Sequence, residues 1–276
     1  MIKEFMITGD CHREFSRFKN YPVEIQNNPE VAVIILGDAG INYTLNKYDN
    51  DIKDYLTKNY KFRIYCVRGN HEARPQNVQG MKLIYDEDVC GDVYMEEAWP
   101  QIRYFKDWGI YQLGKYRAAV IGGAYSVDKE YRLMRGSGWF EDEQLSIDEM
   151  LECTRDFMGE EVDLVFSHTC PICWEPRDLF LSMINQSSVD KSMELFLEEL
   201  AKVFRWKVWA FGHYHCDRVE RPYVEQYYRD TEDITFIIKR WDAYKETGKL
   251  DWWLVKSPQF YYDDKIQEGD YFEDET

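Results

Sequence analysis

Short apolar runs, each closed by glycine, histidine or another polar residue, recur along this chain and limit the folds it can adopt. They are rich in β-branched and aromatic residues and are shorter than most helices, so they predict buried strands. Polar, helix-competent segments separate the early runs, and this alternation is typical of βαβ units. The runs are EFMITGD, VAVIILGD, FRIYCVRGN, YRAAVIGGA, VDLVFSH and WKVWAFGH. We therefore expect an α/β protein.

The later part of the chain predicts two helices and further strands. Residues 146–149 read SIDE, a capping-box pattern, and residues 190–206 place apolar side chains on one helical stripe. From 223 to 255 the chain is rich in aromatic and β-branched residues, including the run DITFIIKRW, which predicts strands of a second sheet or an edge hairpin. We expect one domain over residues 1–262, followed by an acidic, flexible tail over residues 263–276.

The sequence also bears on the cellular compartment in which the protein is expected. No apolar run approaches the roughly 20 residues that a membrane span needs, and the first residues lack the basic and apolar regions of a signal peptide. The seven scattered cysteines do not form the disulfide framework of a small secreted domain. Cys170 and Cys173 could form a redox or zinc site, but there is no second CxxC pair, and Pro171 favours an ordinary loop. We expect a cytoplasmic protein with reduced thiols.

The charge restricts the partners. The formal net charge is −17, and a field of that sign repels polyanions, so a basic nucleic-acid groove is not expected. An acidic protein can still act on phosphates where bound metal cations reverse the local charge.

Polar side chains follow the predicted strands, and all five histidines of the chain are among them. Taken singly, each residue fits a turn, a helix cap or an ordinary surface position. Taken together they are better explained by metal binding, because every histidine follows an apolar run. The residues are Asp10, His12, Asp38, Asn70, His71, His168, His213 and His215.

This donor set indicates the class of metal. Carboxylate, amide and imidazole donors without thiolates suit divalent first-row ions; we favour manganese and leave iron, zinc, cobalt and nickel open. The donors exceed the needs of one ion and divide over two if one carboxylate bridges, for which Asp38 is the candidate. Two ions about 3.5–4 Å apart can hold a hydroxide and stabilise an in-line displacement at phosphorus.

The order of these motifs resembles that of the calcineurin-like metallophosphoesterase superfamily. The superfamily pattern runs DxH, GDxx, GNH[DE], H and GHxH, and it is matched from Asp10 to His215. The resemblance implies a four-layered αββα sandwich of two mixed β-sheets flanked by helices. It also implies two metal positions that share one aspartate. The ligands of the first are Asp10, His12, Asp38 and His215, and those of the second are Asp38, Asn70, His168 and His213.

The same resemblance gives His71 a role beside the reacting phosphate. In the family this histidine is a general acid or a transition-state stabiliser, and an imidazole suits the role because its pKa lies near neutrality. Arg68 could hold phosphate, although a surface ion pair is an open alternative. Tyr125 and Arg132, in a segment that many uncharacterised members of the superfamily share, could line the rim of the site, or belong to a surface loop.

Departures from the family pattern bear on the substrate. The serine/threonine protein phosphatases carry an aspartate and an arginine where this chain has Ile41 and Asn42. We therefore expect hydrolysis of small or nucleotide-derived phosphoesters by a metal-bridging hydroxide, with His71 assisting the leaving group. A protein phosphatase is the first alternative, and a non-catalytic, metal-bound interaction protein is the second. A nuclease is disfavoured by the charge, and the sequence leaves open the substrate, the native metal and the oligomeric state.

Overall fold

The computed structural model describes residues 1–136, 138–180, 185–221 and 223–249. The expected domain boundary at 262 and the expected acidic tail lie outside these residues, as does the last predicted strand, DWWLV (251–255).

Within the described residues, the strands form one seven-stranded and one six-stranded sheet. Their bounds are β1 (Glu4–Thr8), β2 (Val31–Ile35), β3 (Arg63–Cys66), β4 (Met81–Asp86), β5 (Gly91–Glu96), β6 (Ile102–Phe105), β7 (Trp108–Leu113), β8 (Tyr116–Ile121), β9 (Leu164–Ser167), β10 (Val208–Phe211), β11 (Arg218–Arg221), β12 (Val224–Gln226) and β13 (Thr231–Asp233). The first sheet has the order β13-β1-β2-β3-β6-β5-β4, and the second has the order β11-β12-β10-β9-β8-β7. Both sheets are mixed, because parallel central strands are flanked by antiparallel ones.

The helices cover the two outer faces and one edge of the sheets. Their bounds are α1 (Val23–Gln26), α2 (Lys47–Asn59), α3 (Lys129–Arg135), α4 (Ile147–Phe157), α5 (Ser192–Leu200) and α6 (Ile234–Thr247). The helices expected at 146–149 and within 190–206 are confirmed as α4, which has both hydrogen bonds of a capping box, and α5.

Three apolar clusters separate four layers. The central cluster joins alternate residues of the two sheets, such as Ile34 of β2 and Phe166 of β9. A second cluster packs the other face of the first sheet against α2 through Leu56, and a third packs the second sheet against α4 and α5. Burying a side chain of this size is worth about 1.5–3 kcal/mol, so these interfaces hold the layers together. The expected four-layered αββα sandwich is confirmed.

Strand register brings the ends of the central strands to one level. Thr8 pairs with Ile35, and Ile35 pairs with Cys66, so β1, β2 and β3 end side by side. In the second sheet Ser167 lies opposite both Ile121 and Phe211, so β8, β9 and β10 also end together. The loops that follow these strands therefore open at one edge of the sandwich, where ligand sites of α/β proteins are found.

One predicted strand is wrong. The run DITFIIKRW, residues 233–241, forms the start of α6 after a short β13. Asp233 caps this helix by accepting a hydrogen bond from the backbone N–H of Thr235, and Ile234, Ile237 and Ile238 face the central core at helical spacing. No helix in the described part of the chain has the length and apolar character needed to cross a bilayer.

Candidate metal centre

The predicted ligand residues converge at the shared edge of the two sheets. The side chains of Asp10, Asp38, Asn70 and His168 are buried, whereas those of His12 and His215 are 28% and 48% exposed. The arrangement is a buried, mainly acidic floor with imidazoles at its opening.

The backbone at this edge adopts rare conformations. Positive φ angles occur at His12 (43°), Asp38 (48°), His213 (68°) and His215 (50°). Such angles are uncommon for residues other than glycine, cost of order 1–3 kcal/mol each and cluster at functional sites. Gly37 shows the crowding, because its φ is 95° and a Cβ there would lie 2.0 Å from Nδ1 of His168. The glycine before Asp38 is thus required by both conformation and space.

One group of donors surrounds an unpartnered carboxylate oxygen. Oδ2 of Asp10 is buried and has no hydrogen-bond partner among the described residues. It lies 3.6 Å from Nε2 of His12 and 3.4 Å from Nε2 of His215, and these two nitrogens are 2.8 Å apart. An anionic oxygen and two imidazole nitrogens that face one another suit a shared cation, since a buried charge without a partner is costly.

A second group of donors lies on the other side of Asp38. Nδ1 of His168 donates to the carbonyl of Leu36 at 2.9 Å, which leaves Nε2 turned toward Oδ1 of Asn70 at 3.0 Å. In a neutral imidazole this Nε2 carries a lone pair, so two acceptors face each other unless a proton or a metal ion lies between them. Oδ1 of Asp38 is 3.5 Å from the same Nε2. The donor chemistry therefore fits a divalent cation.

The buried carboxylates of the site are stabilised by positive charge. Burial alone would raise the pKa of Asp38, but His168, His71 and His12 hold that pKa well below its usual range. Burial would lower the pKa of His168, yet Asp38 and Asp10 raise it to about 9. A proton on His168 thus compensates the carboxylates in the metal-free chain, and a bound cation would replace it.

His213 is placed differently from the other histidines. Its backbone N–H donates to Oδ1 of Asp10 at 2.8 Å, and its ring centre lies 4.9 Å from that of His168. Burial, together with the neighbouring His168, lowers the pKa of His213 to about 3, which keeps its ring neutral, as a metal ligand requires.

His71 lies at the opening of the same cluster. Its Nε2 is 3.8 Å from Oδ2 of Asp38, its backbone N–H donates to Oδ1 of Asp38 at 2.7 Å, and its side chain is 27% exposed. Arg132 of α3 contacts both ring nitrogens, with Nη2 2.7 Å from Nδ1. Burial, with Arg132 and His12 nearby, lowers the pKa of His71 to about 4 even though Asp38 acts in the opposite sense.

The three tentative substrate residues lie in different places. Arg132 reaches the cluster, but it is 5% exposed and also bonds Asp128 and the carbonyl of Gly138. Tyr125 is half-buried, and the ammonium group of Lys129 lies 6.0 Å from the centre of its ring.

The structure does not bring the guanidinium of Arg68 to the cluster. This side chain is buried in an ion pair with Asp107 and donates to the carbonyl of Glu143 at 2.6 Å. The pair is buried, so the expected surface ion pair does not describe it either, and phosphate binding by Arg68 stays a prediction that we do not carry forward.

Two aromatic residues at the site were missed by the sequence analysis. Tyr43 stacks on His71 and Tyr228 stacks on His215, with ring centres 6.0 and 4.7 Å apart. Tyr228 follows β12 at the same edge, so its position after a strand was the signal that could have found it.

The chain was compared with known protein families and solved structures. A family model described as calcineurin-like phosphoesterase matches residues 3–217. Among solved structures, the chain is similar to a phosphopantetheinyl hydrolase from Mycobacterium tuberculosis, with 12% identity over 90% of this chain and 94% of that one and a TM-score of 0.42. It is also similar to the sulfate thiohydrolase SoxB of Thermus thermophilus in complex with glycerol, with 16% identity over 72% of this chain and 34% of that one and a TM-score of 0.32.

The TM-scores of both solved structures are below 0.5, so we infer neither family nor function from them. No curated protein sequence matches. The family model, by contrast, spans well over half of the chain and includes every strand that precedes a candidate ligand. The chain belongs to the calcineurin-like phosphoesterase family and is a phosphoric ester hydrolase.

Proposed function

We propose that this protein uses two divalent metal ions to hydrolyse small or nucleotide-derived phosphoesters. The observation that carries the proposal is the pair of donor groups on either side of Asp38. On one side Oδ2 of Asp10 lacks a partner, and on the other Nε2 of His168 faces Oδ1 of Asn70 at 3.0 Å. Asp10 offers an oxygen without a hydrogen-bond partner, and His168 offers an Nε2 whose proton a cation can replace, as expected where cations bind.

The ligands divide between two positions. Each position combines carboxylate or amide oxygens with imidazoles, and Asp38 lies where it can serve both, because its oxygens approach His12 at 3.8 Å and His168 at 3.5 Å. We assign Asp10, His12, Asp38 and His215 to the first ion, and Asp38, Asn70, His168 and His213 to the second. Manganese is the ion we favour, with iron, zinc, cobalt and nickel as alternatives to be compared in the same assay.

When bound, two such ions supply a nucleophile from water and neutralise the charge of the phosphoryl group. The protein's own groups do the rest. Asp38 fixes the spacing of the two positions, and Leu36 orients His168 through its carbonyl. His71 is accessible and close to Asp38, and its lowered pKa of about 4 keeps the ring neutral at pH 7; we assign it a hydrogen bond from its ring N–H to the oxygen of the leaving group.

Arg132 holds the ring of His71 in place. Three of its guanidinium nitrogens are engaged by Asp128, Gly138 and His71, so the side chain is fixed before a substrate arrives. Its burial limits direct contact with substrate, and we assign it a positioning role.

The preference for small substrates rests on the surroundings of the site. Ile41 and Asn42 are buried, so the positions that hold an aspartate and an arginine in protein phosphatases offer no charge to a substrate. Tyr43 and Tyr228 flank the exposed histidines, and such rings can stack on a base or an aryl group.

Further features belong to the same proposal. The catalytic domain would extend to residue 262, and the compartment would be the cytoplasm. All seven cysteines lie in the described residues, and none of them forms a disulfide there, which supports a reducing environment.

An activity screen tests the substrate class. The metal-free protein would be reconstituted with Mn²⁺, or with each alternative ion, and assayed on nitrophenyl phosphomonoesters and phosphodiesters, nucleotides and a phosphoserine peptide. We expect kcat/KM for the best small ester to exceed that for the peptide by at least about tenfold, or roughly 1.4 kcal/mol. A peptide that outperforms every small ester would make the protein-phosphatase alternative the better one.

A further inference from the structure

A chain of buried hydrogen bonds leads away from the Asn70 side of the site. Nδ2 of Asn70 donates to Oγ of Ser126 at 3.0 Å, and Ser126 lies in the loop between β8 and α3. Oγ of Ser126 in turn donates to Oε2 of Glu143 at 2.5 Å, and the backbone N–H of Ser126 donates to Oε1 of the same carboxylate at 3.0 Å. Ser126 and Glu143 are 1% and 3% exposed, so water does not compete for these bonds.

The direction of these bonds is fixed by the carboxylate. Burial raises the pKa of Glu143, but the two hydrogen bonds from Ser126 favour its ionised form, which only accepts, so the proton of the Ser126 hydroxyl points toward Glu143. The remaining lone pairs of that hydroxyl can only accept, and the group of Asn70 that faces them must be its NH₂. The amide oxygen of Asn70 is therefore turned toward His168 and the proposed second metal position.

Arg68 supports the same network from behind. Its Nη1 donates to the carbonyl of Glu143 at 2.6 Å, its own carbonyl accepts the N–H of Gly123 at 2.8 Å, and its Nε is paired with Asp107. Arg68 thus bonds the segment that carries Ser126 and Glu143 near both of its ends, and Arg68 itself lies two residues before Asn70. The segment has little freedom to turn its hydroxyl elsewhere.

We propose that Ser126 and Glu143 are positioning residues that orient the amide oxygen of Asn70 for one of the two metal ions. Neither residue touches the ion or the substrate. Without the hydroxyl, the NH₂ group of Asn70 loses its acceptor. The amide can then rotate by about 180° and present either its oxygen or its nitrogen to His168. Outer-shell partners of this kind typically contribute 10- to 100-fold to metal affinity. The inference rests on the proposed function, because it needs two metal positions.

A stepwise metal titration tests it. The metal-free full chain would be titrated with Zn²⁺ or Mn²⁺ against a chromophoric chelator, which gives a separate Kd for each ion. The wild type would be compared with Ser126→Ala and Glu143→Gln. Asn70→Ala would mark the step that belongs to the Asn70 position, and His215→Ala would mark the other. Thr154→Val is the matched control, since it deletes a half-buried hydroxyl that bonds the carbonyl of Met150 at 2.7 Å within α4, on the outer side of the second sheet.

We expect both positioning variants to raise the Kd of the Asn70 step by about 10- to 100-fold. The other step should change less than about threefold, and Thr154→Val should leave both unchanged. In the Asn70→Ala background, Ser126→Ala should have no further effect, because the group that it orients is gone.

Three results separate the possible failures. If the wild type does not bind two ions, the proposed function fails. If it binds two and the Ser126 and Glu143 variants keep both affinities, the positioning role is overturned and the proposed function stands. Equal weakening of both steps, or the same loss in Ser126→Ala with and without Asn70, would also overturn it, because the effect would then be general destabilisation.

Discussion

At the scale of single residues, the site depends on how imidazole rings are held as much as on which residues are present. His168 is oriented by the carbonyl of Leu36 and His71 by the guanidinium of Arg132. The two rings differ in environment, because His168 is fully buried between carboxylates while His71 is open to solvent on one side. This difference matches a ligand role for the first and, since the pKa of His71 is about 4, a hydrogen bond from a neutral ring to the leaving group for the second.

The His71 role predicts a loss of turnover without a loss of metal. His71→Asn should retain both ions and slow kcat by about 10²- to 10⁴-fold if a hydrogen bond from its ring to the leaving group is its contribution. The loss should be greatest for esters with poor leaving groups, such as alkyl phosphates, which most need a proton. Steady-state rates on nitrophenyl and alkyl esters, with metal content measured in parallel, check this. Equal losses on both classes would point to electrostatic stabilisation instead.

The positioning role of Arg132 predicts a smaller effect of the same kind. Arg132→Met should lower kcat by about 10- to 100-fold, since a ring displaced by an ångström loses alignment. KM and metal content should stay near their wild-type values, and Arg132→Lys should recover part of the rate. Arg135→Met, on the exposed face of the same helix, is the control and should behave as wild type. A rise in KM with unchanged kcat would assign Arg132 to substrate binding.

At the scale of secondary-structure elements, the loop after β3 is tied to the start of α4. Arg74 contacts Glu149, the carboxylate of the α4 capping box, and bonds Asp107 at 3.0 Å. Burial alone would raise the pKa of Glu149, but the hydrogen bonds from Arg74 and Ser146 lower it from 4.5 to about 2. The stability that Glu149 contributes is therefore complete above pH 4.5 and is lost as the pH falls through 2.

This pKa predicts a pH-dependent mutational effect. Glu149→Gln should lower the free energy of unfolding by about 1–2 kcal/mol at pH 7, because it weakens the cap and the contact with Arg74. Urea unfolding at several pH values should show the difference from wild type shrinking toward zero near pH 2. Asp148→Asn, an exposed neighbour, should show little difference throughout. A gap for Glu149→Gln that stays constant with pH would mean that its carboxylate is not stabilised by these partners.

The elements also show what the sequence could and could not predict. The strands before Asp10, Asp38 and His168 were predictable because buried parallel strands read as unbroken apolar runs. Helix α6 was not, because its β-branched start fits either structure, and the cap formed by Asp233 was the deciding signal. The segment that carries Ser126 and Arg132 has no clear periodicity, so its contacts with Asn70 and His71 required the fold itself.

At the scale of the whole molecule, the site exists only where the two sheets meet. One sheet carries Asp10, Asp38 and Asn70, and the other carries His168 and the GHYH loop, so neither sheet alone holds a complete set of donors. The net charge of −17 repels phosphates at a distance, so the proposed function requires bound cations as the source of phosphate affinity. The proposed function therefore depends above all on the binding of two metal ions.

Counting divalent ions per chain tests that claim most directly. Elemental analysis after reconstitution with Mn²⁺ and removal of free metal should find close to two ions per wild-type chain. Asp38→Asn should lose affinity at both positions, because the same carboxylate serves both, while Asp148→Asn should keep both. One ion or none in the wild type, or full occupancy in Asp38→Asn, would contradict a dimetal site bridged by Asp38.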